Sequence, residues 1–308
     1  MSPGFPDLIA QPGGDGPTAH VFDPLMPHSA RVYGYWLGGK DHYQADREVA
    51  EEVIRCCPQV VAGARANRAF LARVVRYLAG ECGIRQFIDI GPGLPAPAST
   101  HEIAQRIAPR SRIVYVDNDP LVLVHARALL TSTPQGSCDY IEADLRDTAA
   151  VLAGARQTLD FSHPIAVLLL AVLHFVPDAA GPAAIVAALS RRLAPGSYVA
   201  ISHLTGDAAP GPVAAGVAVY NSLVPTAVIP RSHTQVSALF GGLPLVPPGV
   251  VPLTEWRSSI AGQGGPSCDM YAGLARIRRM GITPRRVHPY RADGPLSIPG
   301  RQRSASIA

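Results

Sequence analysis

Two glycines and three acids stand at spacings that suit a bound nucleoside. Gly91 and Gly93 follow Gln86-Phe-Ile-Asp89-Ile90, where Phe87, Ile88 and Ile90 predict a short buried strand. A strand that stops on glycines and then yields to a helix brings bare backbone up to a ligand. Ser99 or Thr100 caps that helix, with Glu102 in its first turn. Arg112 to Asp117 predicts a second strand ending in an acid, with Asn118 beside it. An acid one strand over from a glycine loop is placed to accept both hydroxyls of a ribose. Asp119-Pro120 then opens a helix, aspartate as cap and proline in the first turn. A third strand, Cys138 to Glu142, leads into Asp144 and Leu145, where an acid suits the exocyclic amine of an adenine. A glycine turn that merely closes a connection is the bland alternative for Gly91 and Gly93. Loop, ribose acid and adenine acid in chain order on successive strand tips argue for a nucleoside cofactor.

Two nucleoside cofactors compete. Gly91-Pro92-Gly93-Leu94-Pro95-Ala96 formally fits the dinucleotide pattern G-x-G-x-x-A. A dinucleotide loop runs straight into its helix, so that the pyrophosphate sits on the helix N-terminus. Here Pro95 and Pro97 delay the helix and remove two N–H donors. S-adenosylmethionine carries no phosphate and needs only close backbone approach plus the two acids, so it is favoured over NAD.

Two histidines end strands near the same edge. Ile165 to Leu173 is apolar throughout, as a central parallel strand buried on both faces should be, and it runs into His174. Asp178 to Leu193 predicts the helix that follows, and Ser197 to His203 the fifth strand. An imidazole with a free pKa of ~6.5 suits general-base work at neutral pH, so His174 and His203 are the catalytic candidates. A strand-end histidine satisfied by backbone is the alternative at both positions.

The elements that must position these groups are legible in outline. Residues 1–28 hold prolines and glycines with little periodicity and read as a disordered leader. Residues 29–82 read as a helical cover: an aromatic segment with Tyr33, Tyr35 and Trp36, then two helices, Asp41 or Gln44 to Cys56 and Val60 to about Leu78. Such a cover offers cations to a cofactor carboxylate. Arg31, Lys40, Asn67 and Arg68 are the candidates for contacting the methionine end of the cofactor or the substrate, with Tyr33 and Tyr43 as pocket walls or packing. Lys40 is the sole lysine among 27 basic residues and lies in Gly38-Gly39-Lys40-Asp41-His42-Tyr43. After the fifth strand, residues 205–242 predict a helical insert that shapes a substrate pocket, with Tyr220, Asn221 and His233 facing it. Leu243 to Trp256 and Cys268 to Ile277 read as two final antiparallel strands.

Composition narrows the class. The chain of 308 residues, 47% hydrophobic, supports one large domain with a sizeable core. A net charge of +4 makes no global demand for nucleic acid or an anionic membrane. The longest apolar run, Ile165 to Leu173, is too short to span a bilayer. Five cysteines without a C-x-x-C argue against a disulfide framework or a zinc site and for a reducing cytoplasm. Residues 277–308 read as a basic disordered tail; from Arg276 to Arg303 there are eight arginines and the one acid Asp293.

Several longer runs carry a family likeness: Ala30-Arg-Val-Tyr-Gly-Tyr-Trp-Leu-Gly-Gly-Lys-Asp-His42, Arg65-Ala-Asn-Arg-Ala-Phe-Leu71, Phe87-Ile-Asp-Ile-Gly91, His101-Glu-Ile-Ala-Gln105, Val114-Tyr-Val-Asp-Asn-Asp-Pro120 and Val167-Leu-Leu-Leu-Ala-Val-Leu-His-Phe-Val176. Over about residues 28–276 the chain resembles an actinobacterial family of S-adenosylmethionine-dependent methyltransferases long known only as a domain of unknown function. The resemblance implies an α/β fold: a class I methyltransferase-like, doubly wound, seven-stranded sheet over residues 83–276, its last strand antiparallel, under the N-terminal helical cover. It implies S-adenosyl-L-methionine held by Asp89, Gly91, Gly93, Asp117, Asn118, Asp144, Leu145, Arg68, Lys40 and Tyr33. Two departures stand out: Pro92, where the family usually has a small hydroxyl residue, and Ser99, often asparagine. Many amine methylases carry an acid or asparagine followed by prolines after the fourth strand, and His174-Phe-Val-Pro177 does not. The expected function is methyl transfer to a small molecule in secondary metabolism, with no nucleic acid or membrane partner and room for a homodimer. A catalytically silent cofactor-binding accessory or sensor protein is the alternative, and an NAD-dependent oxidoreductase the third reading.

Overall fold

The computed structural model describes residues 23–129, 131–258 and 268–278. The anticipated basic tail, from 279 on, and most of the leader lie outside these.

Seven strands form one sheet in the order β3-β2-β1-β4-β5-β7-β6. The parallel strands are β1 (Gln86–Ile90), β2 (Arg112–Asp117), β3 (Ser137–Glu142), β4 (Ala166–Leu170) and β5 (Tyr198–Leu204). β7 (Met270–Arg276) runs antiparallel to β5 and to the two-residue β6 (Val251–Pro252). β1 and β4 are buried along their whole length, and both lie in the middle of the sheet. That burial explains their continuous apolar runs, because a central parallel strand is covered on both faces.

Helices cover the two faces. One face packs Ile88, Val167 and Ile201 against Val151 of α6 (Thr148–Ala155) and Val186 of α7 (Pro182–Ser190). The other packs Phe87, Leu168 and Leu274 against Phe70 and Val74 of α3 (Val60–Arg76) and Ile103 of α4 (Thr100–Ile107). α5 (Pro120–Leu129) follows β2, and α8 (Pro210–Leu223) and α9 (His233–Ala238) form the insert after β5. α4 opens on a reciprocal cap, Ser99 toward the backbone of residue 102 and Glu102 back toward the Ser99 amide.

The cover is tied down by a buried ion pair. α1 (Ser29–Trp36) and α2 (Gln44–Cys56) meet at Asp46, which is wholly buried. Its carboxylate accepts from Arg31 Nε at 2.7 Å, the His28 amide at 2.9 Å and the Tyr43 amide at 2.8 Å. Arg31 also donates to the Met26 carbonyl. The leader therefore stops earlier than its composition implies, since Met26 and His28 already belong to the folded cover.

Three expected boundaries move. The fourth strand ends at Leu170 rather than Leu173; Ala171 turns to a positive φ of 55° and Leu173–Phe175 form a 3-10 turn. The helix expected over Asp178 to Leu193 splits at Gly181, whose φ of 64° separates a short 3-10 turn from α7. The sixth strand shrinks from Leu243–Trp256 to Val251–Pro252, because Pro244, Pro247 and Pro248 cannot donate to a ladder and Trp256 instead turns into the core. Among the described residues no helix is long and apolar enough to cross a membrane.

Candidate cofactor and acceptor site

The ends of β1, β4 and β5 and the start of β7 lie side by side under the cover. Between them and α1, α2, α3 and α8 is a cavity of about 170 Å³. Asp89, Gly91 and Gly93 line it from β1, Ala171 and His174 from the β4 end, Leu204 from β5, and Asp269 and Met270 from β7. Trp36, Val53, Val60, Val217 and Tyr220 make its lid largely apolar.

The two loop glycines have different reasons. Both take φ of +68°. A Cβ on Gly91 would stand 2.6 Å from Val172 Cγ2, so this glycine lets the β1 and β4 tips approach each other. A Cβ on Gly93 would meet nothing within 4 Å, so the backbone there faces open space. Leu94 reaches up to Gly34 of α1, which seats the cover on the loop.

Asp89 is buried with Thr100 Oγ1 donating to it at 2.6 Å, and burial pushes its carboxyl up to about 6. Asp117, at the tip of β2, is likewise pushed up to about 6 by burial. Its carboxylate accepts from the Asp119 backbone amide at 3.0 Å, and the Gly93 amide is near enough to draw the carboxyl down. The glycine loop thus lies beside Asp117, which is not on the cavity wall. Asn118 contacts Asp144, and Arg146 pairs with Asp144 through Nε at 2.9 Å, which with the Asn118 contact holds that carboxyl below the usual range. Leu145 is buried in the core beside them. Arg68 lines the cavity and donates to the Pro97 and Ala98 carbonyls at 3.1 and 3.2 Å, which fixes the proline-rich end of the loop.

Tyr33 is held in a directed chain. The Ala171 amide donates to Ser202 Oγ at 2.9 Å, Ser202 donates to Asn67 Oδ1 at 2.6 Å, Asn67 Nδ2 donates to Tyr33 at 3.0 Å, and Tyr33 donates to the Ala64 carbonyl at 3.1 Å. The chain joins β5, the β4 end, α3 and α1 through four successive hydrogen bonds.

The two histidines part company. His174 is 8% exposed, lines the cavity, and has a buried Nδ1 without a hydrogen-bond partner. Burial, with His203 and Arg231 behind it, pushes its pKa well down. It is therefore a neutral imidazole at pH 7, which corrects the expectation of a ring titrating near neutrality. His203 is wholly buried and spent: Nδ1 donates to the Leu204 carbonyl at 2.7 Å and Nε2 accepts from Arg231 at 2.9 Å. No ring nitrogen is left for a substrate, so the structure gives His203 a bracing role in place of the expected catalytic one.

Of the remaining candidates, Lys40 is exposed after α1 and does not line the cavity. Arg31 is committed to Asp46, and Tyr43 begins α2 away from the cavity. Asn221 closes the insert loop through both amide atoms to Val228, and His233 lies against the Val250 carbonyl. Tyr220 does face the cavity. Cys57 lines it as a thiol that burial pushes up to about 11, so it is no nucleophile. Asp269, Gln59 and Met270 carried no recognised signal; an acid opening the last apolar strand, Asp269-Met270, was the one available.

The profile of the S-adenosyl methyltransferase family matches residues 16–278. The chain belongs to that family. It is similar to a Streptomyces avermitilis protein of the DUF574 family at 42% identity and a TM-score of 0.79, over 82% of this chain and 98% of the other. A candidate methyltransferase of Thermobifida fusca is 36% identical with a TM-score of 0.75, over 82% and 96%. No curated protein matches. The enzyme is thus a class I methyltransferase, and its cofactor is S-adenosylmethionine. The residues fit that group: open backbone at Gly93, buried carboxylates at the neighbouring tips of β1 and β2, and a cavity that reaches Asp89 and the glycine loop from the cover.

Proposed function

We propose that the enzyme methylates a small molecule of secondary metabolism inside the cavity under α1, α2 and α8. The observation that carries this is the make-up of the cavity wall. The cavity starts at the glycine loop and is walled by the protein's own helices, which suits a small acceptor better than a polymer. S-adenosylmethionine supplies an electrophilic methyl on a sulfonium, which needs little further activation. The protein's share is alignment and exclusion of water.

Asp117 accepts the ribose hydroxyls once the Gly93 amide shifts from it. Asn118, Asp144 and Leu145 flank the adenine, and Asp89 with the Gly91 and Gly93 backbone faces the rest of the nucleoside. Arg68 is the cation nearest a cofactor carboxylate. His174 orients the acceptor by accepting or donating one hydrogen bond through its unpartnered Nδ1. Its depressed pKa makes it a positioning partner more than a strong base. The five cysteines are free thiols, which supports a reducing, cytoplasmic setting.

Calorimetric titration with S-adenosylmethionine, S-adenosylhomocysteine and NAD tests the site. Micromolar binding of the first two without NAD supports it. Absence of binding by the first two removes the assignment of these residues.

A further inference from the structure

One wall of the cavity carries a buried carboxyl that no described residue partners. Asp269 immediately precedes β7 and is 5% exposed. Both carboxylate oxygens are buried and without a hydrogen-bond partner. The Gln59 amide is near enough to draw the carboxyl down, without closing a bond of ordinary geometry, while burial pushes it up more strongly. Among the described residues no arginine, lysine or histidine pairs with it. Other buried acids near the site are served: Asp46 by Arg31, Asp89 by Thr100, and Asp117 by the Asp119 amide. A buried carboxylate left alone destabilises a fold, so its place on a cavity wall needs a reason.

The sheet order gives the cavity a direction. Gly91 follows β1, His174 follows β4, Leu204 ends β5 and Asp269 precedes β7, and these strands are consecutive neighbours in the sheet. Asp269 therefore lies at the end away from the glycine loop. Between them the walls are apolar and aromatic, with Trp36, Phe175 and Tyr220.

We propose that Asp269 anchors the acceptor, and that the acceptor is a small amphipathic amine whose ammonium pairs with Asp269 while its apolar body fills the cavity toward His174. This rests on the reading of the cavity as the acceptor site. An ammonium restores neutrality and satisfies both oxygens with charge-assisted bonds, whereas a neutral hydroxyl does only the second. A carboxylated or phosphorylated acceptor would be repelled. The aromatic rings add favourable contacts to a cation or a flat apolar body.

The test is calorimetric titration of the full-length protein with 2-phenylethylamine and its neutral counterpart 2-phenylethanol, each with and without saturating S-adenosylhomocysteine. The same titrations are made on Asp269→Asn. The wild type should bind the amine at least tenfold more tightly than the alcohol. In Asp269→Asn the two should fall within about twofold of each other, with the alcohol affinity kept. An amine that binds no tighter than the alcohol in the wild type overturns the proposal, as does absence of amine binding or selectivity that survives in Asp269→Asn. The wild-type comparison decides even if the variant fails to fold. S-adenosylhomocysteine separates the two readings: its failure to bind removes the cofactor site, whereas its binding without amine selectivity removes only the role of Asp269.

Discussion

Asp89 and Asp117 hold their carboxyls where the neutral form is favoured, each raised from 3.8 to about 6 by burial. A raised acid binds its proton more tightly folded than unfolded. Stability then falls as pH climbs from about 4 to about 6, and the full penalty persists above that window. A shift of this size corresponds to about 2–3 kcal/mol per group. Asp89→Asn keeps an acceptor for Thr100 and should gain about 1–3 kcal/mol at pH 8, a gain that shrinks as pH drops toward 4. Urea unfolding at several pH values reads this directly. Asp117→Ala should weaken S-adenosylhomocysteine binding tenfold or more, because ribose hydroxyls lose a charged acceptor. In the wild type the same affinity should decline as pH falls through about 6, since the ionised acid is the one that accepts; calorimetry at pH 5 and pH 8 would show it. At this scale the acids on strand tips were legible because position alone nominates them. His203 was not, because Arg231, which consumes its second nitrogen, comes from the insert and is brought in by the fold. Asp269 escaped for a related reason: an acid at a strand start looks like a surface residue until β5, α2 and α3 close around it.

A buried ion pair is one of the polar joints that hold the helices of the cover. Asp46 and Arg31 are buried at 0% and 3% exposure, and the acid also holds two backbone amides. Asp46→Ala leaves a guanidinium buried without its partner and should cost about 3–5 kcal/mol. Arg31→Met in the same chain should recover much of that loss, and a double-mutant cycle by urea unfolding measures the coupling. If both single variants melt like the wild type, the joint carries no such energy. Helical periodicity found α2 and α3 with nearly the observed bounds, and apolar runs found β1, β2, β4 and β5. The end of β4 was misplaced for a reason that lies outside the strand. Ala171 reaches its positive φ because its amide is captured by Ser202 and the strand can go no further. That bond joins β4 to β5, so nothing local in Ile165 to Leu173 reveals it. Likewise α6 has alanine and glycine in place of a clear apolar stripe, and its existence went unread.

For the whole molecule, the cavity lies between cover and sheet, so a ligand bound there ties the two together. S-adenosylhomocysteine at one hundred times its dissociation constant should raise unfolding free energy by about 2.7 kcal/mol. Hydrogen exchange should slow in α1 and α3 as well as in the β1 loop; slowing confined to the loop would mean that the cover does not participate. The sheet was readable as a class because buried strands and capped helices alternate, whereas the antiparallel end was readable only roughly because prolines and turns dilute its pattern. The Asn67–Ser202 bond joins residues 135 positions apart, and α8 packs against α2 across a similar interval. The cover therefore leaves the ribosome long before the surfaces that complete it. At about 5–20 residues per second, α2 waits on the order of ten seconds or more with Val49, Ala50 and Val53 lacking their Tyr220 and Val224 neighbours. The N-terminal third of this enzyme is the part of the nascent chain most in need of a chaperone, and a message truncated before α8 would yield a polypeptide that cannot shelter its own beginning.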